Sequence, residues 1–188
     1  APLVVVALYV LLTVTRGLDG EQASSPQEAW INLANACWGL WSFLMLPLFI
    51  TLQSALLAGL EHNEQQWKHL LALPTAKSVH YTAKWVLLLL MTFVALLALI
   101  IFIEMAGYIL AWIRPAFGIS GMAPHSYLLE KSLRVFAASA LMMAIHTWIA
   151  IRWRSFTVAV ATGMTATVVS FLVAQSVQYG RFYPWAMP

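Results

Sequence analysis

Charge is what this chain has least of. Asp, Glu, Lys and Arg make up 9% of its 188 residues, against about a quarter in an ordinary soluble domain. Cysteine is nearly absent as well: the single Cys37 excludes an internal disulfide and leaves the redox compartment open. No Gly-rich phosphate loop of the Walker type occurs, so ATP is not bound here in the P-loop manner, and HExxH, CxxC and GxSxG are missing. There is no Gly/Ser linker or acidic block to divide the chain, and no internal repeat. His62, His69 and His80 lie on one polar stretch without the cysteine or carboxylate spacing of a metal site. The net charge of +3 comes from scattered Lys and Arg, not from a basic patch, so nothing points to nucleic acid.

What is present is apolar sequence: 62% hydrophobic residues and a mean hydropathy of +0.80. That composition defines an integral membrane protein of one all-α domain, a polytopic bundle of transmembrane helices. Five spans are expected, at about 1–16, 38–60, 85–106, 133–151 and 156–177. The first run has no methionine and no basic n-region, unlike a signal peptide, and falls short of the roughly 20 residues a bilayer requires. The expectation is that the numbering starts inside the first span and that an upstream segment is missing.

A polar connection, Leu18 to Gln27, precedes the second run. From Trp30 to Leu60 that run would be near 45 Å as a helix at about 1.5 Å per residue, longer than a hydrocarbon core of about 30 Å. Trp30, Trp38 and Trp41 are therefore expected to form an aromatic belt at its outer end, and Pro47 to kink it. Gln53 lies deep in this span, either as an interhelical hydrogen bond or on a substrate path. In the third run, twenty residues are spent by Ile103, so Glu104 falls near the far interface. It reads as a snorkelling or paired carboxylate, or as a substrate or proton site.

The connection Pro115 to Ser126, with Gly118, Gly121 and Pro124, is expected to be irregular. His146 lies in the fourth span near its inner end, where a lone histidine reads first as a hydrogen-bonded packing residue. The short turn Arg152 to Ser155 makes the fourth and fifth spans a hairpin. The fifth is rich in small residues, Ala159, Ala161, Thr162, Gly163, Thr165, Ala166, Thr167 and Ser170, suited to close helix approach. In 178–188, Tyr179, Phe182, Tyr183 and Trp185 are expected at the interface, as an outer re-entrant or interfacial segment.

The one long polar island is 61–84. Asn63 can cap a short helix, with Gln66 three residues later able to close a capping box. Trp67, Leu70, Leu71 and Pro74 follow at i, i+3, i+4 and i+7, opposite Gln65, Gln66, Lys68 and His69. Pro74 stops this helix and can begin the next. Taken alone, the stretch is either a solvated loop with an interfacial helix or a docking element.

The pattern of Glu61, Trp67, Lys68, Leu70, Leu71, Leu73, Pro74, Lys77 and Lys84 resembles the cytoplasmic loop of ABC type-2 exporter permeases, most closely the lantibiotic-immunity and bacitracin-resistance branch. In that family the loop between the second and third spans is a coupling helix seated on the ATPase subunit. The resemblance implies contact with ABC ATPase subunits through Glu61, Asn63, Trp67, Lys68, Leu70, Leu71, Pro74 and Lys77, with ATP and Mg held by that partner and no cofactor in this chain. It further implies a second permease, identical or homologous, and a bacterial inner (plasma) membrane location among lipid. Gln53 and Glu104 become candidates for the substrate path. A similar aromatic Pro-Trp segment precedes a sixth span in the family, so a further span is expected beyond Pro188.

Charge does not orient the chain. Lys68, Lys77, Lys84, Arg152 and Arg154 on one face balance Arg16, Arg114, Lys131, Arg134 and Arg181 on the other, and the cytoplasmic placing of 61–84 follows from the resemblance alone. Two other functions stay open. An intramembrane enzyme using Glu104 and His146 would need them within about 3 Å, although their expected depths are at opposite faces. The other is a non-transporting scaffold or sensor.

Overall fold

The computed structural model describes residues 1–16, 25–63, 77–153, 155–176, 178 and 180–188, with the backbone alone at 60–63, 77 and 181. Among the described residues there are helices and no strands. They are α1 (Pro2–Arg16), α2 (Pro26–Leu40), a π-helical turn (Trp41–Met45), α3 (Leu46–Asn63), α4 (Lys77–Ile113), α5 (His125–Arg152) and α6 (Phe156–Val173), with 3₁₀ turns at Pro115–Phe117 and Gly180–Phe182. Four stretches are long and apolar enough to cross a membrane: Pro26–Gly59, Ser78–Ile113, His125–Arg152 and Phe156–Val173, with Pro2–Thr15 a shorter apolar helix. The expected all-α membrane bundle is the architecture found.

α2 begins well ahead of the expected span because its N-terminus is capped, not set by hydropathy. Ser25 accepts the Glu28 amide hydrogen bond at 3.3 Å, Pro26 occupies the first turn, and Glu28 lies at the positive end of the helix dipole. The connection expected to last through Gln27 therefore yields to helix at Pro26. Ser155 caps α6 in the same way, accepting from the Val158 amide at 3.4 Å. Between α4 and α5, Gly118 and Gly121 both take φ of 75°, a left-handed conformation open to glycine.

The expected distortion at Pro47 takes a definite form. Proline lacks the amide that would bond the carbonyl of Phe43, and its ring crowds that carbonyl. The turn just before it, Trp41–Met45, is widened to π geometry, which relieves the crowding by shifting to i→i+5 pairing.

The chain forms two compact units, Ala1–Met45 with Val94–Arg134 and Leu46–Phe93 with Val135–Pro188. In the first, Trp30, Trp38 and Trp41 are at most 1% exposed. This corrects the aromatic-belt expectation: the indoles face protein. Trp30 shows why, since its ring lies on Gly107, where a Cβ would come within 2.1 Å of it, and meets Tyr108 edge-on at 5.3 Å. Arg114 donates to the Thr13 carbonyl at 2.8 Å, satisfying one of the carbonyls left free at the end of α1. Asn35 accepts from Tyr127 at 2.6 Å and also from Lys131.

In the second unit α3 packs on α6. The small residues of α6 recur at helical spacing, and Ala159, Gly163, Ala166, Thr167 and Ser170 are its buried face. Ala55, Ala58, Ile149, Ala150 and Ala159 form a shared core. Lipid supplies no hydrophobic drive for such contacts, so close van der Waals approach by small side chains takes its place.

Candidate functional site

Two places in the second unit carry polar chemistry. One is the pair of helix ends that flank the polar island. α3 closes at Asn63 and α4 opens at Lys77. Seven residues into α4, the Lys84 ammonium donates to the Leu57 carbonyl at 2.8 Å, a charge-assisted bond across a sequence gap of 27 residues. One turn earlier, Tyr81 donates its hydroxyl to the Ala144 carbonyl at 2.9 Å, and the Trp85 indole reaches the Ala140 carbonyl at 3.4 Å. The start of α4 is thus fastened to α3 on one side and α5 on the other. Of the expected ATPase-contact residues, Trp67, Lys68, Leu70, Leu71 and Pro74 lie outside the described residues, as does Leu73. Glu61 and Asn63 belong to the last turn of α3 and Lys77 begins α4.

The other place is a buried polar layer where α3, α5, α6 and the final residues meet. His146 is 1% exposed. Its Nε2 accepts from the Trp185 indole at 3.1 Å and lies 3.3 Å from the Thr51 hydroxyl. An indole is a donor only, so Nε2 carries no proton and the neutral ring holds its hydrogen on Nδ1. Nδ1 is buried and has no partner among the described residues, a position that costs about 1–3 kcal/mol for an uncompensated donor. Gly163 closes the layer from α6: a Cβ there would fall 2.1 Å from Thr51 Oγ1 and 2.8 Å from His146 Cε1.

The hydroxyls around this layer are satisfied within their own helices. Ser54 donates to Thr51 at 2.9 Å, Thr147 to Met143 at 2.8 Å, Thr167 to Gly163 at 2.8 Å and Ser170 to Thr167 at 2.6 Å. A buried polar face built this way needs no partner across the helix contact. His146 is buried and hydrogen-bonded, the environment expected of a packing residue. Trp185 departs from expectation: it is 8% exposed and bonded to His146, where an interfacial position was expected. Phe182, 66% exposed, and Tyr183, half-buried, remain nearer the surface, while Tyr179 lies outside the described residues.

The other two expected site residues are half-buried. Gln53 sits on α3, two residues from Thr51. Glu104, in the first unit, is in hydrogen-bond contact with His125, Nδ1 to Oε1 2.7 Å. Its partner is a histidine that the sequence reading did not single out, because the two are joined only by the connection 114–124. Among the described residues there is no group of three or more His, Cys, Asp or Glu able to hold a metal ion.

A family model described as "ABC-2 family transporter protein" matches residues 1–172. The chain belongs to the ABC-2 transporter family. No curated protein and no solved structure matches it. As an ABC-2 family protein with several apolar helices long enough to span, it is a multi-pass membrane protein and a permease component of an ABC transporter. Family membership also implies an ABC ATPase subunit as partner.

Proposed function

We propose that this ABC-2 permease is half of the pathway of an ATP-driven exporter in a bacterial inner membrane, of the lantibiotic-immunity and bacitracin-resistance kind, moving a peptide, antibiotic or lipid-like substrate. ATP and Mg are held by the partner ATPase, and a second permease, identical or homologous, completes the pathway. The 61–84 island is its cytoplasmic coupling element, with Glu61, Asn63, Trp67, Lys68, Leu70, Leu71, Pro74 and Lys77 against the ATPase. Gln53 and Glu104 are candidates for contact with substrate.

One observation supports this reading most: the clamp made by Lys84 on Leu57, with Tyr81 and Trp85 on α5. A loop that receives force is useful only if the helices on either side move together. Those three bonds join α3, α4 and α5 at the C-terminal end of the island, so a push on it displaces them as one body, a hinge or shear movement.

Affinity purification of the full-length chain tests the reading. An ABC ATPase subunit should accompany it in stoichiometric amount, and its absence from gently solubilised membranes counts against the proposal. The enzyme alternative makes a different prediction. Glu104 is bonded to His125 and His146 to Thr51 and Trp185, so Glu104→Gln, whatever its effect on transport, is expected to leave chemical conversion of a membrane substrate unaltered. Loss of hydrolytic activity of roughly a hundredfold or more, the scale of a missing general acid or base, would instead favour an enzyme.

A further inference from the structure

The final residues return beside α6. Tyr183 donates its hydroxyl to the Ala166 carbonyl at 3.1 Å, and Ala166 lies seven residues before the end of α6, about 10 Å back along the helix. Trp185 reaches the His146 layer, its indole edge-on to the imidazole at 5.4 Å and 77°. The backbone here is irregular: a 3₁₀ turn at Gly180–Phe182, then single turns closed by Tyr183 to Gly180 at 3.2 Å and Ala186 to Tyr183 at 2.8 Å. Such backbone cannot face lipid at membrane depth, and it persists only against protein or water. Something in the segment must hold it in.

Apolar burial does part of this, and it is concentrated in Trp185, 8% exposed. Phe182 and Met187 are 66% and 39% exposed, and Trp185 is the one buried side chain between Phe182 and Pro188. Two side-chain hydrogen bonds from the segment are also described, from Tyr183 and from Trp185. The Tyr183 bond takes the second lone pair of a helix carbonyl. The Trp185 bond is to a nitrogen whose lone pair belongs to no backbone ladder. It joins the segment to α5, and its geometry is set by Thr51 and Gly163 on two further helices.

We propose that the Trp185–His146 hydrogen bond is a latch: it keeps residues 180–188 folded in against α5 and α6, and the segment swings outward when that bond opens. Trp185 supplies the only proton in the bond, and His146 must offer a bare Nε2 to receive it. The role of such a swing as a gate on a transport pathway rests on the permease reading. The latch itself does not.

The test uses the full chain in lipid nanodiscs with Met187→Cys as a reporter and a hydrophilic maleimide as the probe. Cys37, buried at 0% exposure, stays silent. Adding Trp185→Phe keeps the ring and removes the N–H, and labelling should become about five-fold faster, the change carried by one neutral hydrogen bond. His146→Leu should match it, whereas His146→Gln, whose amide oxygen can take the place of Nε2, should label at the parent rate. Labelling of Trp185→Phe within twofold of the parent overturns the latch. So does equal labelling of the Leu and Gln variants, which remains informative if Trp185→Phe folds poorly. Thr51→Ala removes the layer's other bond and should leave labelling unchanged; acceleration equal to that of Trp185→Phe means the whole layer has loosened and also overturns the proposal. No ATPase takes part, so the result stands apart from the fate of the exporter reading.

Discussion

Replacing Trp67 and Leu70 together by aspartate is expected to abolish ATP-dependent transport while the membrane helices stay folded. The two positions are three residues apart on the apolar side of the short amphipathic segment, and a shared surface at that spacing is what a partner groove reads. Buried tryptophan is among the strongest anchors at protein interfaces, costing about 2 kcal/mol or more when truncated. A leucine adds about 1.5–3 kcal/mol of burial, and two carboxylates in an apolar seat oppose docking further. Losses of about 4 kcal/mol together weaken association roughly a thousandfold. Neither residue belongs to the described helices, and the clamp of Lys84, Tyr81 and Trp85 that fastens α4 to α3 and α5 is left intact. Thermal unfolding in detergent should therefore move little, while reconstituted transport and recovery of the ATPase both fall. Transport that survives the double substitution sinks the coupling proposal.

The membrane class and the helical fold were readable because lipid leaves few choices. Backbone groups in hydrocarbon must be bonded internally, so apolar runs of the right length are helices. That α6 is rich in small residues was readable too, but not which of them face protein: Ala159, Gly163, Ala166, Thr167 and Ser170 are buried, while Ala161 and Thr165 are exposed. The start of α2 was readable and was missed, since Ser25 and Glu28 stand three apart as a capping pair around Pro26. Hydropathy is blind to caps.

The tryptophans were misread for a physical reason. An indole at the edge of an apolar run can face headgroups or protein, and only a tertiary neighbour decides. For Trp30 the decision is made by Gly107, and for Trp185 by His146. Those partners are 77 residues away by the numbering, 107 less 30, and 39 away, 185 less 146, beyond the reach of any periodicity. The coupling contacts rest on sequence and resemblance, while the clamp that makes them mechanically sensible came from Lys84, a residue the resemblance had already marked.

Gly163→Ala is the substitution expected to cost the most stability for the fewest atoms, and its sign is the informative part. In an unobstructed helix, exchanging glycine for alanine stabilises by about 1 kcal/mol. Gly59 on α3 is such a place, with nothing within 4 Å of an added Cβ, and Gly59→Ala should raise the unfolding midpoint. At Gly163 the same methyl would lie 2.1 Å from Thr51 Oγ1, 2.4 Å from its Cγ2 and 2.8 Å from His146 Cε1. Thr51 is β-branched and stiff at χ1, so it cannot swing aside as a longer side chain would, and α3 and α6 must part. Overpacking of this kind costs about 1–3 kcal/mol, which reverses the sign seen at Gly59. Thr51→Ala removes both of the closest atoms while Trp185 still serves His146 Nε2, so alone it should cost no more than about 1 kcal/mol. Combined with Gly163→Ala it should recover most of the loss, a coupling of about 1–2 kcal/mol between neighbours. The remainder measures the contact with His146. Unfolding midpoints for the four corners of this cycle decide the matter: strictly additive effects mean that Gly163 does not stand against Thr51, and the close packing of α3 on α6 would have to be abandoned with it.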